Sequence, residues 1–326
     1  MSGLRVAVLY GGRSGEHEVS LRSAEAVMEA LRRQGFRVLP YFISKDGRWQ
    51  PGPILPVPGA NADIDVVFPV LHGTFGEDGT LQGLLEMAGL PYVGAGVFAS
   101  AAAMDKDLFK RLCRERGLPV VDSLVLETRP PDATAVMRRF PFPVFVKPAN
   151  LGSSVGIHKA HDPDELRAAL EDAARYDTKI LVERAIEGLE LECAVLGNRD
   201  PVASTPCQIY PSREFYDYED KYLLDKARAV IPADVPPEMI REVQRLAVEC
   251  YRAIGCTGMG RVDFLVESAT GRIFINELNT IPGFTSISMY PKMWAYDGLP
   301  MHELVGRLVE LALERHRERQ SLRHER

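Results

Sequence analysis

The 326-residue sequence lacks a disulfide pattern, a membrane-spanning run and a surplus of basic residues. Its cysteines are odd in number, scattered and without a C-x-x-C spacing, so neither a disulfide framework nor a zinc site is indicated, and buried reduced thiols are expected. The five are Cys113, Cys193, Cys207, Cys250 and Cys256. No apolar run approaches the length of a membrane span, and the short run at residues 4–10 ends in glycines, unlike a signal peptide.

A net charge of −6 argues against a nucleic-acid partner bound through bulk electrostatics, although a local basic patch stays open. What is present is typical of a soluble globular protein, with 46% hydrophobic and 26% charged residues. The chain is long enough for two or three domains and contains no internal repeat. These features predict a cytosolic enzyme or binding protein without a membrane partner.

Strand and helix patterns alternate over the first hundred residues, which predicts a doubly wound α/β unit. Buried strands are expected at residues 4–10, 38–43 and 65–71, and a helix at 20–34. A second helix is indicated by the i, i+3, i+4, i+7 spacing of Leu81, Leu84, Leu85 and Ala88. The proline-rich residues 51–59 are expected to form a surface loop.

A second region begins near Met104 with the pattern of a small α+β lobe. It contains a helical stretch through Arg116, strands at 144–147 and 180–183, and a helix at 163–175. From Gly188 onward the pattern changes to strands, a polar aromatic loop, a helix at 237–254, a hairpin and a final helix from Met301. The mixed-charge tail, residues 315–326, is expected to be a solvated, fraying helix end.

Residues 260–264 and 273–279 have the pattern of a metal-binding hairpin. Because side chains alternate along a strand, Glu277 and Asn279 share a face, which Asp263 joins if the strands pair antiparallel. Placing Asp263 opposite Glu277 leaves residues 268–272 as a loop of usual length. Two carboxylates and an amide oxygen suit Mg²⁺, which takes further ligands from water and substrate phosphates. The alternative is an ordinary hairpin with a polar face in water, and the lack of a balancing cation on that face argues against it.

The glycine- and serine-rich residues 150–156 follow a strand and offer unobstructed backbone N–H groups that can close over phosphates. They do not form a Walker loop, and another strand follows, so a simple hairpin turn is the alternative. Lys147 favours the phosphate interpretation, since Pro148 biases it to an extended conformation at the strand end. A lysine beside a glycine loop neutralises triphosphate charge. Lys106 is a second candidate, with a surface helix lysine as the alternative.

The first glycine cluster, residues 11–15, invites a dinucleotide-binding interpretation, which we reject. Tyr10 stands where the first glycine of the G-x-G-x-x-G pattern belongs, and no acidic ribose ligand follows the second strand. Glu16 at the start of the helix is either a cap and a complement to the helix dipole or a carboxylate that holds a substrate ammonium.

Two further segments have both a functional and a structural interpretation. Residues 212–222 are polar and aromatic, which predicts a lid that excludes water from a reactive intermediate, or else a surface Ω-loop. After the hairpin, Gly283 can present a backbone N–H, and Ser288 a hydroxyl, to a carboxylate. Capping of a short helix is the equally simple role for Thr285 and Ser286.

Seven segments in order along nearly the whole chain resemble the D-alanine:D-alanine ligase family of the ATP-grasp superfamily. They are Glu-His-Glu-Val-Ser at 16–20, Leu-His-Gly at 71–73, Met-Asp-Lys at 104–106, Gly-Ser-Ser-Val-Gly at 152–156, Tyr-Asp-Tyr-Glu-Asp-Lys-Tyr at 216–222, Gly-Arg-Val-Asp at 260–263 and Asn-Glu-Leu-Asn-Thr at 276–280.

The resemblance implies an ATP-grasp fold, α/β and α+β, with an N-terminal doubly wound parallel-sheet domain. The expected domains are a substrate-binding domain at 1–103, a central lobe at 104–186, and a C-terminal lobe at 187–326 with a lid loop at 210–224 and the metal site. ATP is expected between the two lobes and D-alanine beneath the lid. The family also implies a cytoplasmic homodimer that serves peptidoglycan synthesis, cell-wall biogenesis and cell shape.

The same resemblance implies the residues that bind ATP and metal. The metal ligands are Asp263, Glu277 and Asn279, which hold Mg²⁺, with two ions expected and Mn²⁺ able to substitute. The ATP-binding residues are Lys106, Lys147, Ser153, Ser154, Lys221, Phe274, Asn276 and Glu277, the adenine linker Glu183, Arg184, Ala185 and Ile186, and the ribose-binding Glu190. The linker after Glu183 is where the family varies.

For the amino-acid substrates, the resemblance implies that Glu16 holds the ammonium of the first D-alanine and is linked through Ser153 to Tyr222. His72 is expected near that substrate. Lys221 and Ser288 are expected to receive the carboxylate of the second D-alanine. Arg261 and the backbone of Gly283 are expected to stabilise the oxyanion.

The implied reaction proceeds through an acyl phosphate that the amine of the second D-alanine attacks. Positioning and charge neutralisation carry most of the catalysis, as is usual for phosphoryl transfer. Another ATP-grasp ligase, such as a D-alanine:D-lactate ligase, is the alternative, against which Tyr222 argues because phenylalanine at that position favours the ester. A nicotinamide oxidoreductase is disfavoured by the missing dinucleotide pattern. A non-catalytic nucleotide-binding regulator is disfavoured by the intact set of metal ligands.

Overall fold

The computed structural model describes residues 3–152, 155–210 and 228–323, and helices and strands are numbered in chain order within these ranges. The N-terminal unit is a four-stranded sheet of order β3-β2-β1-β4, in which β1 runs parallel to β2 and β4, and β3 is antiparallel to β2. Its strands are β1 (Arg5–Gly11), β2 (Arg37–Ile43), β3 (Trp49–Gln50) and β4 (Val66–Pro69). Its helices are α1 (His17–Arg33), α2 (Thr80–Met87) and α3 (Val97–Met104).

The next unit is an antiparallel sheet of order β5-β8-β6-β7, covered by helices. Its elements are α4 (Lys106–Glu115), β5 (Ser123–Leu126), α5 (Ala133–Arg139), β6 (Val144–Pro148), β7 (His158–Ala160), α6 (Pro163–Ala173) and β8 (Ile180–Arg184). Helix α4 starts at Lys106 because the Asp105 side chain accepts hydrogen bonds from the backbone N–H groups of Asp107 and Leu108, which caps the helix. The predicted strand after the glycine loop is confirmed as β7.

The third sheet is antiparallel, with order β12-β11-β9-β13-β14 and β10 paired to β9. Its strands are β9 (Gly188–Gly197), β10 (Val202–Ala203), β11 (Cys207–Tyr210), β12 (Arg228–Val230), β13 (Gly258–Glu267) and β14 (Ile273–Asn279). The helices of this part are α7 (Pro237–Ala253), α8 (Met289–Tyr296) and α9 (Met301–Gln320).

The N-terminal sheet is buried on both faces, which is why its central strand is a continuous apolar run. Val6 and Val8 of β1 pack in one core with α1 and α9, whereas Ala7 and Leu9 pack in another with α2. The prediction of a doubly wound unit is therefore confirmed. No described helix has both the length and the apolar composition needed to cross a membrane.

Two of the three sheets share a hydrophobic core, whereas the middle sheet has a separate one. The core around β1 also contains Ala194 and Leu196 of β9 and the buried face of α9, so the N-terminal unit and the third sheet share one core. The middle sheet packs on α5 and α6 in a core of its own. The domain division at residues 103 and 186 stays a prediction.

The C-terminal helix corrects one expectation. Residues 315–326 were expected to form a fraying, solvated helix end, and the described part beyond Arg315 is largely exposed, with α9 ending at Gln320, but Arg315 itself is tied to the body of the protein. Its guanidinium lies 4.3 Å from the ring centre of Tyr92 and donates hydrogen bonds to the carbonyl of Tyr92 (2.9 Å), to Thr257 Oγ1 (2.7 Å) and to the carbonyl of Gly94. The two carbonyl acceptors belong to residues far from Arg315 in the sequence, so the charge pattern of the tail did not predict these hydrogen bonds.

We expect Arg315→Met to lower the free energy of unfolding by about 2–4 kcal/mol, because it leaves three acceptors without their donor. Urea denaturation followed by circular dichroism measures this change. Arg317→Met on the same helix is the matched control, since Arg317 is exposed and its change is expected to stay within about 0.5 kcal/mol. Equal effects of the two substitutions would contradict the anchoring role.

Candidate active site

Strands β13 and β14 form the hairpin that the sequence predicted, in the predicted register. Asp263 pairs with Glu277, Arg261 pairs with Asn279, and residues 268–272 connect the strands. The register shifts between Asp263 and Phe264, so Asn276 is the extra residue of a bulge. Bulges of this kind re-aim side chains and are frequent beside active sites.

The acidic face of this hairpin contains a cation, contrary to the sequence-based argument that none was available. Arg261 Nε and Nη2 lie 2.7 and 2.6 Å from the two carboxylate oxygens of Asp263, and Nε lies 3.2 Å from Glu192 Oε2. Arg261 precedes Asp263 by two residues and so shares its face, which the alternation rule already implied. Glu192 on β9 lies opposite Asp263 in register, which the sequence analysis missed.

The hairpin offers ligand types that fit Mg²⁺. Asp263 and Glu277 supply carboxylate oxygens from paired positions, and Asn279 lies on the same face. The side-chain nitrogen of Asn279 donates a hydrogen bond to Asp263 Oδ2 at 3.0 Å. The side-chain oxygen of Asn279 is therefore the atom of this amide that can act as a metal ligand. Among the described residues no three His, Cys, Asp or Glu side chains form a metal cluster by themselves. Such a site fits Mg²⁺ that completes its shell with water and phosphate oxygens.

A second charged group joins the middle sheet to α4. Glu183 on β8 is buried between two lysines, with Lys110 Nζ 2.5 Å from its Oε1 and Lys147 Nζ 2.6 Å from its Oε2. Lys147 also lies 3.5 Å from Asn276 Oδ1 on β14, so it spans the gap between the two antiparallel sheets. The projection of Lys147 from its strand end was predicted, but its pairing with Glu183 and the whole role of Lys110 were not.

The two lysines determine the protonation state of Glu183. Burial by itself raises the pKa of this carboxyl, but the charges of Lys110 and Lys147 and their hydrogen bonds outweigh burial and lower the pKa to about 2. Because the pKa of Glu183 is lower in the folded protein than in the unfolded chain, ionised Glu183 stabilises the fold above about pH 4.5. That contribution is lost as the pH falls through the folded value.

At about pH 5 we expect the unmodified protein to be more stable than Glu183→Gln. The difference in the free energy of unfolding between the two proteins should decrease by up to about 3 kcal/mol as the pH falls toward 2. Urea unfolding at a series of pH values measures the difference in the free energy of unfolding. Glu171→Gln, at an exposed position of α6, is the control and should show no comparable narrowing. A constant gap between the unmodified protein and Glu183→Gln would show that the ion pairs do not control this titration.

The predicted adenine linker lies where the two antiparallel sheets meet. Arg184 donates to Glu267 Oε1 at 2.7 Å, and its guanidinium lies 5.1 Å from the ring centre of Phe274. Ala185 and Ile186 follow β8 on the way to β9, with Ala185 N–H bonded to the carbonyl of Pro143 at 3.2 Å. Glu190 lies on β9, two residues before Glu192 and so on the same face of that strand.

Lys106 lies beside the glycine loop, as expected for a phosphate lysine. It is buried, its backbone N–H bonds to the carbonyl of Ala149 at 3.0 Å, and its ammonium contacts the carbonyl of Leu151. The interpretation as an exposed surface lysine is wrong for this residue. The burial arises because α4 starts against the end of β6, a long-range contact that helical periodicity alone does not predict.

Glu16 lies at the start of α1 with its carboxylate buried against backbone. A methyl group at Gly73 would be 2.6 Å from Glu16 Oε2, and one at Gly152 would be 3.2 Å away, so both glycines leave room for this carboxylate. In the described part of the chain Glu16 makes no side-chain capping hydrogen bond. The capping interpretation is therefore not supported, and Glu16 faces the glycine loop of the middle unit.

His72 is buried and linked to the segment after the hairpin. Its Nδ1 lies 3.0 Å from the carbonyl of Ile281 and must carry the proton, so Nε2 accepts from the Ser23 hydroxyl at 3.3 Å. Ser23 Oγ in turn accepts the backbone N–H of Phe284 at 3.2 Å. Burial lowers the pKa of His72, against the opposing effect of Glu16, and favours the neutral ring.

Glu77 lies in the same cleft and was missed by the sequence analysis. Its two carboxylate oxygens accept the backbone N–H groups of Gly73 at 2.8 Å and Ile281 at 3.0 Å, so it ties two walls together. Burial and the nearby charge of Glu16 raise the pKa of Glu77 to about 8. A carboxyl group that follows a histidine by five residues has no distinctive sequence pattern, which is why it was overlooked.

The segment after the hairpin forms the remaining wall. Ser288 Oγ accepts the backbone N–H of Thr285 at 3.0 Å and lies 2.8 Å from Thr285 Oγ1. A methyl group at Gly283 would be 2.7 Å from Ser288 Oγ, so this glycine is required for the close approach. Helix α8 starts at Met289, which leaves Thr285 and Ser286 outside a capping position, contrary to the capping alternative.

One cleft brings together much of the predicted site. Its lining contains Glu16, His72, Gly152, Arg261, Glu277, Asn279, Gly283 and Ser288, together with the unpredicted Glu77 and Glu192. The lysine group at Glu183 lies on the adjoining sheet. Ser153, Ser154, Lys221, Tyr222 and residues 211–224 of the predicted lid lie outside the described residues.

These features define a class of protein. A doubly wound unit followed by two antiparallel sheets, with lysines on one and a carboxylate hairpin on the other, is the ATP-grasp fold of carboxylate-amine ligases. Family models described as D-ala D-ala ligase N-terminus and D-ala D-ala ligase C-terminus match residues 5–57 and 50–95, and residues 88–310, respectively. The chain belongs to the D-alanine–D-alanine ligase family.

Similar proteins span nearly the whole chain. A D-alanine–D-alanine ligase from Solibacter usitatus is 64% identical over 320 residues, which covers 98% of each chain, and one from Acetivibrio thermocellus is 44% identical, covering 96% of each. The solved D-alanine–D-alanine ligase from Coxiella burnetii superposes with a TM-score of 0.87 at 38% identity, covering 98% of this chain and 97% of that one. The VanG D-Ala:D-Ser ligase from Enterococcus faecalis gives 0.86 at 36%, covering 95% and 100%.

Proposed function

We propose that this protein joins two D-alanine molecules into D-alanyl-D-alanine for peptidoglycan precursor synthesis, converting ATP to ADP and phosphate. The observation that supports this most directly is the single cleft in which Glu16, Arg261, Glu277 and Gly283 converge. Family membership over nearly the whole chain supports the same reaction. The cleft supplies groups for an ammonium, an oxyanion and a metal-bound phosphate within one site.

We place ATP between the two antiparallel sheets. Lys106 and Lys147 would contact its phosphates, and the linker 183–186 would contact adenine. Glu190 would bind the ribose. Phe274 and Asn276 lie on β14 at this junction, next to Arg184 and Lys147 respectively, which supports a nucleotide position against the hairpin. We propose that Asp263, Glu277 and Asn279 would hold Mg²⁺, with two ions expected and Mn²⁺ as a substitute.

The first D-alanine would bind with its ammonium at Glu16, near His72. Because His72 is neutral and its Nδ1–H is held by Ile281, it shapes the pocket rather than adding charge. Ser153 and Tyr222 would extend the contacts of Glu16. Lys221 and Ser288 would receive the carboxylate of the second D-alanine.

The reaction would begin when a carboxylate oxygen of the first D-alanine attacks the γ-phosphorus of ATP, and the bond to the bridging oxygen breaks to release ADP. Bound Mg²⁺ supplies neutralisation of phosphate charge. The deprotonated amine of the second D-alanine then attacks the carbonyl carbon of the acyl phosphate. Arg261 and the Gly283 N–H would stabilise the resulting oxyanion, and phosphate leaves as the peptide bond forms. Residues 210–224 would act as the lid that excludes water.

We also propose a three-domain division at residues 103 and 186, a cytoplasmic location and a homodimer. The five cysteines are all free and buried, which supports a reducing compartment. Phe98 on α3 is 64% exposed and Met87 on α2 is 66% exposed, and these apolar side chains support a subunit contact on this side of the N-terminal unit. Light scattering of Phe98→Glu against the unmodified protein tests the dimer, which the substitution should weaken.

The direct test of function supplies ATP, Mg²⁺ and D-alanine and quantifies products by mass spectrometry. Dipeptide, ADP and phosphate are expected in a 1:1:1 ratio, with L-alanine as the control that gives none. ADP release without dipeptide would contradict the assignment. A D-alanine:D-serine ligase is the second candidate, favoured by the structural similarity to VanG, so D-serine and D-lactate are offered in competition with D-alanine. Tyr222 leads us to expect D-alanyl-D-alanine as the main product.

A further inference from the structure

Lys110 is a fully buried lysine in the middle of helix α4, one turn after Lys106. Its ammonium lies 2.5 Å from Glu183 Oε1, and only 2% of its side chain is exposed. The other oxygen of the same carboxylate lies 2.6 Å from Lys147 Nζ. One carboxylate therefore lies between two ammonium groups that come from different elements, α4 and β6.

The two lysines differ in what else they can reach. The side chain of Lys147 is 12% exposed and contacts Asn276 of β14 at 3.5 Å, so it faces the junction between the antiparallel sheets. Lys110 and Glu183 are each 2% exposed and lie behind it. Lys110 therefore has no route to a nucleotide, whereas Lys147 does.

Charge balance gives Lys110 a specific effect on Lys147. A single lysine paired with Glu183 would form a neutral pair, and the attraction of the carboxylate would compete with any phosphate for that ammonium. With Lys110 present, two positive charges share one negative charge, and the group carries a net positive charge whose exposed member is Lys147. The low dielectric around the buried pair makes this difference larger than it would be in water.

We propose that Lys110 is a positioning residue for nucleotide binding, which neutralises Glu183 and thereby leaves the charge of Lys147 available to an ATP phosphate. This role rests on the proposed function for the identity of the nucleotide. Lys110 contacts no substrate and acts only through the carboxylate between the two lysines. The alternative is a purely structural ion pair that ties α4 to β8.

The test is the steady-state kinetics of Lys110→Met in the full-length enzyme. The expected result is a KM for ATP raised about tenfold or more, with the KM for D-alanine changed less than twofold. Lys110→Arg keeps the positive charge and should bring the KM for ATP back to within about threefold of the unmodified enzyme. Cys113→Ala, at a buried position one turn further along α4, controls for loss of packing in the helix.

A double substitution separates charge from structure. If Glu183 captures Lys147 when Lys110 is lost, Lys110→Met combined with Glu183→Gln removes the competing carboxylate and should lower the KM for ATP relative to Lys110→Met alone. Because residue 183 also belongs to the proposed adenine linker, Glu183→Gln alone is measured as the reference for any direct effect of that change on the KM for ATP. A purely structural pair predicts no such recovery. If Lys110→Met does not fold, the double variant is compared with Glu183→Gln. Similar KM values for ATP are expected, because Lys110 acts through the carboxylate that both variants lack. A much higher KM in the double variant would overturn this role.

Equilibrium binding of a non-hydrolysable ATP analogue with Mg²⁺, by calorimetry, keeps this inference distinct from the proposed reaction. Failure of the unmodified protein to make dipeptide would overturn the proposed function while the analogue still reports the effect of Lys110. An affinity for the analogue that is the same in Lys110→Met and the unmodified protein would overturn the role of Lys110. Equal loss of affinity in Cys113→Ala would do so as well.

Discussion

Glu277→Gln is expected to lower the rate of dipeptide formation roughly a thousandfold or more, which corresponds to about 4 kcal/mol of transition-state stabilisation. Glutamine has the same shape but lacks the charge that a divalent ion bound beside phosphates requires. Glu277 pairs with Asp263 across the hairpin, so the change removes one of the two acidic ligands without altering the strand register. Coupled measurement of ADP release and mass spectrometry of the dipeptide determine the rate.

Stability is the control for this substitution. Because Glu277 lies partly exposed at a β-hairpin position, the free energy of unfolding is expected to stay within about 1 kcal/mol of the unmodified protein. Glu249→Gln on the exposed side of α7 is the matched isosteric control and should keep full activity. Turnover that is unchanged in Glu277→Gln would remove the proposed metal role of this hairpin.

Arg261→Met is the second substitution with a large expected effect, here on both rate and stability. The rate constant kcat should fall about 10²–10³-fold, because Arg261 is the side chain proposed to stabilise the oxyanion. Stability should fall by about 2–4 kcal/mol, because Asp263 and Glu192 then lie side by side without the guanidinium that contacts both. Rapid-quench kinetics and urea denaturation measure the two quantities.

Added Mg²⁺ gives this prediction a further test. If the metal binds Asp263, millimolar Mg²⁺ should restore more stability to Arg261→Met than it adds to the unmodified protein, because the ion replaces the missing positive charge. Arg245→Met is the control, since Arg245 lies at the surface of α7 and forms ion pairs with the partly exposed Glu242 and Glu249 of the same helix. This substitution should change stability by less than about 1 kcal/mol. A stability of Arg261→Met that does not respond to Mg²⁺ would argue against Asp263 as a ligand.

The hairpin shows what local rules can predict and where they were incompletely applied. Alternation along each strand and a loop of five residues sufficed to place Asp263 opposite Glu277, as the structure confirms. The same alternation places Arg261 beside Asp263, although the face was expected to lack a cation. Glu192 could not be placed in this way, because its strand β9 is separated from β13 by about sixty residues.

Residues that act through buried contacts were the hardest to predict. Lys110 lies in an amphipathic helix where a lysine usually faces solvent, and only the packing of α4 against β8 brings it to Glu183. Glu77 joins two walls through backbone N–H groups, whose positions depend on the fold and not on residue type. Short sequence patterns predict candidate ligand-binding residues more readily than they predict the residues that hold those candidates in place.

The sequence by itself determined the fold class, the order and approximate bounds of most helices and strands, the register of the hairpin and the family. These properties depend on local periodicity and on short motifs, and the family models and structural neighbours confirm the assignment. Only the tertiary structure decided which partner each buried charged side chain meets. Lys110 meets Glu183 and Arg261 meets Glu192, whereas Glu77 accepts the backbone N–H of Ile281 and Arg315 donates to the carbonyls of Tyr92 and Gly94. Their energies depend on burial and on distances of a few ångströms between residues far apart in the chain, and neither quantity is contained in a local pattern.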